Sequence, residues 1–144
     1  MTGNFIPDGD SVVRLCGGSH LDPDTGAPGP GAFMLREGED YLSVNWLEYF
    51  KGCDQQDALL EIRRVLATKR TIGKTARLAL LNVGGVKQTI VMDPPLTFTH
   101  EPIITALIND SSHSAINNIQ GCEQLVAEAL SQAVLGLSAA RAEA

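Results

Sequence analysis

The stretch DQQDALLEIRRVLATKRTIGKTARLALLNVGG, from Asp54 to Gly85, carries a helix pattern and a strand pattern in one run and decides the fold class. Asp54 is a good N-cap, because its carboxylate can accept from the free N–H groups of a first helical turn. Leu59, Ile62, Val65 and Leu66 follow at helical spacing, which predicts a helix to about Ala67 with one apolar stripe. Arg77 to Val83 then reads as a buried strand closed by Gly84-Gly85. A helix and a strand of this kind, without a repeating strand–helix rhythm elsewhere, predict an α+β domain. The expected architecture is a small mixed or antiparallel sheet with two main helices on one side of it.

Outward from this stretch the signals are shorter. Ser11 to Cys16 reads as a strand. Gly17 to Gly31 holds five glycines and three prolines in fifteen residues. No regular element tolerates that composition, so a long mobile loop is expected there. Ala32–Leu35 and Tyr41–Trp46 predict a hairpin about Arg36–Asp40. Val86 to Met92 fits a strand or a helical turn equally. Leu96 to Thr99 predicts a short strand running into His100. A last helix is expected from about Gly121 to Leu137, with Leu125, Val126, Ala129, Ala133 and Val134 on one face.

The chain has 144 residues, enough for one domain with a proper core and too few for two ordinary ones. A single domain is expected over residues 1–137, with 1–10 as a loose polar arm and 138–144 as a frayed tail. Cys16, Cys53 and Cys122 are odd in number and far apart, which predicts reduced thiols in a cytoplasmic protein. Met1 to Asp10 has no basic residue and no apolar run, so it is not read as a secretory signal. No stretch approaches the roughly 20 apolar residues of a membrane span. The net charge of −6 disfavours broad nucleic-acid binding, which relies on cations at phosphates.

Candidate functional residues concentrate in Thr99-His100-Glu101-Pro102 and Ser111-Ser112-His113-Ser114. These bring His100, Glu101, Asp110 and His113 into one connection, a vocabulary suited to acid/base work or metal binding. Pro102 argues for an extended backbone at Glu101, and extension would send His100 and Glu101 to opposite faces. A turn held by side-chain hydrogen bonds is the competing interpretation. His20 is a possible third imidazole. Its neighbours Asp22, Asp24 and Gly26 imitate the start of a calcium loop, but the closing glutamate is missing.

Arg63, Arg64, Lys69, Arg70, Lys74 and Arg77 supply six of the eleven basic residues in fifteen positions, with no acid among them. They could meet phosphates or an acidic partner, or simply solvate a helix end. Gly73-Lys74-Thr75 imitates a P-loop but lacks its first glycine and its strand–loop–helix order. The order Arg14, Ser43, Glu101 along the chain resembles the nicotinamide-dinucleotide-binding triad of ADP-ribosyltransferases. That resemblance implies an NAD-binding fold.

Two functions are expected from these residues. The favoured one is an interaction or ligand-binding protein, with a protein partner or a small anionic ligand reached through Arg14, His20, Arg63, Arg64, Arg70 and Lys74. The other is a small hydrolase or phosphotransfer enzyme using His100, His113, Glu101 and Asp110, with or without a metal. No membrane partner is expected, and the sequence names no cofactor.

Overall fold

The computed structural model describes residues 3–141. Nine strands and three helices are present among them. The strands are β1 (Asn4–Phe5), β2 (Ser11–Cys16), β3 (Leu42–Trp46), β4 (Arg77–Asn82), β5 (Thr97–His100), β6 (Ile103–Ile104), β7 (Asn109–Asp110), β8 (His113–Asn117) and β9 (Gly136–Ala139). The helices are α1 (Gln55–Lys69), α2 (Val83–Thr89) and α3 (Glu123–Gln132). Seven strands form one sheet in the order β1-β5-β8-β3-β2-β4-β9, and β6 and β7 form a separate hairpin. Every pairing is antiparallel. The α/β mixture is as expected; the sheet is larger than expected and there is a third helix.

The two long helices lie on opposite faces of the sheet, not on one. The reason is the alternation of β2 and β4, which are apolar on both faces. Val13, Leu78, Leu59, Ile62 and Leu66 share one cluster beneath α1. Val12, Cys16, Ala79, Leu81, Val126 and Leu130 share the other, beneath α3. Asp54 caps α1 as anticipated, accepting from the Asp57 N–H at 2.9 Å.

Several boundaries differ from the sequence reading. The N-terminal arm is anchored: Asn4 and Phe5 pair with β5, and Ile6 is buried. Ala32 and Phe33 are not a strand but the end of a 3-10 turn, Pro30–Phe33, which plugs Phe33 into the core. The glycine-rich loop also contains a 3-10 turn at Gly18–His20 and a bridge between Leu21 and Pro28. The last helix ends at Gln132, and Gly136–Ala139 returns as an edge strand on β4. Ser138 and Ala139 are thus ordered by backbone pairing, and Ala140 is fully buried. The rest of the expected tail, 142–144, lies outside the described residues.

One irregularity in the sheet positions the site. The ladder between β2 and β3 holds only at Val12–Trp46 and Val13–Asn45. Beyond it the side chain of Arg14 takes the place of the next main-chain bonds. Its Nη1 donates to the Ser43 carbonyl at 2.8 Å and its Nε to the Ala32 carbonyl at 3.0 Å. A guanidinium can satisfy two carbonyls at once through separate N–H groups of its planar fork, which a strand N–H cannot.

Candidate functional site

Where β2 and β3 part, two cavities open. The larger, of about 380 Å³, lies between β2, the 3-10 turns and the connection from α1 to β4. Arg14, Arg36 and Arg70 project into its wall, His20 joins them, and Gly18 and Gly31 present bare backbone. The smaller, of about 50 Å³, is lined by Ser43, Asn45, Lys69 and His113. Arg14, Leu15, Arg36 and Arg70 belong to both linings. Neither lining contains an aspartate or a glutamate, although the chain as a whole is acidic.

None of Arg14, Arg36 and Arg70 forms an ion pair among the described residues, where the pairs are Arg64–Glu61, Lys69–Asp110 and Lys87–Asp8. Burial lowers the proton affinity of Arg14 most; the charges of Arg36 and Arg70 lower it further, and Cys16 and Glu39 oppose them in part.

Beside the cavities the sheet face is polar. Glu101 N donates to the His113 carbonyl at 2.9 Å, so the two residues face each other across the strands and share a face. Ser43 and Asn45 stand on the same face through their pairing with Ala115 and His113. His113 is buried, with Nδ1 2.7 Å from the Glu101 carbonyl and Nε2 3.2 Å from Ser43 Oγ. Burial pushes its pKa down more than its partners raise it. Asp110 is fully buried and accepts from Asn45 Nδ2 and Lys69 Nζ, both at 2.8 Å. Tyr41 sets its ring edge-on to His113, with centroids 6.0 Å apart.

The structure gathers some of the expected residues and separates others. His113, Asp110 and Glu101 border one polar region, but His100 is on the opposite face. It packs against Trp46 and Tyr49, with its Nε2 on the Ser111 carbonyl at 2.7 Å. The paired-histidine arrangement is therefore not assembled. Pro102 and the extended backbone before it give the reason: alternation along β5 cannot place His100 and Glu101 together. The Glu101 carboxylate accepts from Thr99 Oγ1 at 2.9 Å, and Thr99 in turn accepts from Asn117.

The basic run is likewise divided. Arg70 reaches the cavity, whereas Arg63 donates to the Ala139 carbonyl and Arg64 pairs with Glu61 on the exposed side of α1. Lys74 is exposed and lines neither cavity. Arg14 and Ser43 of the ADP-ribosyltransferase-like order do meet, but through the Ser43 carbonyl rather than its hydroxyl. Asp22 spends its carboxylate on the N–H groups of Asp24 and Thr25, closing a turn. Among the described residues, no three His, Cys, Asp or Glu side chains come together to hold a metal ion.

Arg36 and Lys69 were not expected as site residues, and Ser43 was singled out only in the Arg–Ser–Glu order. Lys69 belonged to the basic run, and its acid-free surroundings were the signal available for it. Ser43 and Arg36 carry no local signal, since a serine in a strand and an arginine in a turn are ordinary. No protein-family description matches this chain, nor does any curated protein or solved structure. Among the described residues no helix is long and apolar enough to cross a membrane.

Proposed function

We propose that the chain binds a small anionic molecule in the cavity between β2 and the α1–β4 connection. The observation that carries this reading is the convergence of Arg14, Arg36 and Arg70 on one concavity with no carboxylate in its lining. Three like charges that form no ion pair oppose one another, an opposition that Glu39 offsets only in part, and an anion entering between them relieves that repulsion. Guanidinium groups suit this task because they offer paired donors to phosphate or carboxylate oxygens. The volume falls within the range of small-molecule sites. A concave site of convergent side chains favours a small ligand over a protein partner, which would meet a flatter surface.

Calorimetric titration with pyrophosphate and with ADP tests the proposal. One-site binding that weakens as salt is added is expected. Arg70→Gln should weaken it roughly tenfold to a hundredfold, the loss of a charge-assisted hydrogen bond of about 1.5–3 kcal/mol. Absence of binding by either probe at millimolar concentration, or affinity unchanged by Arg70→Gln, would overturn it.

A further inference from the structure

The smaller cavity holds a serine and a histidine that anion binding does not require. A carbonyl oxygen only accepts, so the 2.7 Å contact to Glu101 O places the ring hydrogen of His113 on Nδ1. Burial disfavours a second proton on this imidazole. Nε2 then presents a lone pair toward Ser43 Oγ, 3.2 Å away, and the hydroxyl donates to it. Nucleophile, base and an acceptor that orients the base follow one another, with a main-chain carbonyl where a carboxylate often stands. Ser43 is partly exposed and faces the cavity that it shares with Arg36 and Arg70.

We propose that Ser43 is a nucleophile and His113 its general base, and that the site hydrolyses carboxylic esters of small anionic molecules. The inference rests on the anion-binding reading, because the arginines of the larger cavity hold the charged end of the substrate. At about 50 Å³ the smaller cavity has room for the reacting ester carbonyl and little more.

The steps balance. Ser43 Oγ bonds to the acyl carbon as His113 Nε2 takes its proton. The bond from the acyl carbon to the alcohol oxygen breaks, and His113 returns the proton to the departing alcohol. Water then attacks the acyl-serine, its proton passing by way of Nε2 to Ser43 Oγ, and the acid leaves. The net reaction is ester plus water to acid plus alcohol, with no other reactant. Charges facing the imidazolium formed on the way are Glu101 beside β5 and Asp110 of β7, which favour it, and Lys69 of α1, which opposes it. The Tyr41 ring stands edge-on to His113, and burial and nearby acids keep its phenol protonated beside the reacting groups.

The full chain is treated with a fluorophosphonate probe and the modified residue is located by mass spectrometry. In this reaction the Ser43 Oγ–P bond forms, the P–F bond breaks and His113 accepts the proton. One adduct on Ser43 is expected, absent in Ser43→Ala and at least tenfold slower to form in His113→Gln. Hydrolysis of 4-nitrophenyl hydrogen glutarate should exceed that of the uncharged 4-nitrophenyl butyrate, and both should vanish in Ser43→Ala. Ser43→Ala removes one atom at a partly exposed position and keeps the test valid if His113→Gln does not fold. Modification at other serines instead, or ester hydrolysis as fast in Ser43→Ala as in the parent, would overturn the proposal. Pyrophosphate titration of Ser43→Ala separates the two readings: binding retained without Ser43 labelling in the parent defeats only the nucleophile, whereas no binding in the parent defeats the anion site.

Discussion

The buried carboxylate of Asp110 shows how single side chains hold this site. It has no exposed surface and depends on Lys69 Nζ and Asn45 Nδ2 for its partners. Removing the cation leaves a charge in a low-dielectric setting, so Lys69→Met should destabilise the protein by about 3–5 kcal/mol, measured by urea unfolding. Lys69→Arg, which keeps the charge, should recover most of that loss. His113 makes a second prediction at this scale. Its folded pKa lies below the ordinary value, so between the two the unfolded chain binds more protons. Stability therefore falls as pH drops below about 6.5, the unperturbed histidine value, and is regained above it. Melting temperatures of the parent should decline from pH 7 to pH 5. The decline should be shallower in His113→Gln, and identical slopes would show that this ring binds its proton equally well in the folded and the unfolded chain.

At the scale of elements, the start of α2 is decided by a close approach rather than by propensity. Gly84 N donates to the Asp8 carbonyl at 2.9 Å, and an added Cβ would meet that same oxygen at 2.9 Å. In an exposed helix Gly→Ala stabilises by about 1 kcal/mol. Here Gly84→Ala should destabilise by about 1–3 kcal/mol, because the N-terminal arm must move away. Thermal unfolding of this variant distinguishes the two signs. Asn82 shows why the helix begins there at all: its side chain accepts from Gly85 N at 2.8 Å, an N-cap that follows directly on a strand.

For the whole molecule, closure of the sheet depends on the last residues of the chain. β9 covers the edge of β4, Ala140 N donates to the Ala76 carbonyl, and Arg63 Nε holds the Ala139 carbonyl at 2.6 Å. A chain ending at Val134 should lose these contacts and expose the open edge of β4. A loss of about 2–4 kcal/mol corresponds to a melting temperature lower by roughly 5–15 °C, read by far-UV circular dichroism. An unchanged melting temperature would mean that β9 is peripheral to the cooperative unit. The same strand anchors α1 through Arg63, so the covered edge and the helix behind the site stand or fall together.

Local pattern alone was sufficient for α1, for β4 and for the α/β mixture. A capped helix with apolar residues every three to four positions has one way to bury them. The extended backbone before Pro102 was legible too, and it carried the separation of His100 from Glu101. Tertiary structure alone decided the rest. Whether Val86–Met92 would be helix or strand was settled by the Asn82 cap together with the approach of Asp8 to Gly84, neither of which a short apolar run encodes. The return of Gly136–Ala139 as a strand depended on a free edge of β4, because an edge offers main-chain partners to whatever segment can reach it. Ser43 meets His113 across seventy positions, and Arg14 meets Arg36 and Arg70, only because antiparallel register and the parting of β2 from β3 bring them to one place. Spacing along a chain determines which neighbours share a face; strand register and order determine which distant residues share a site.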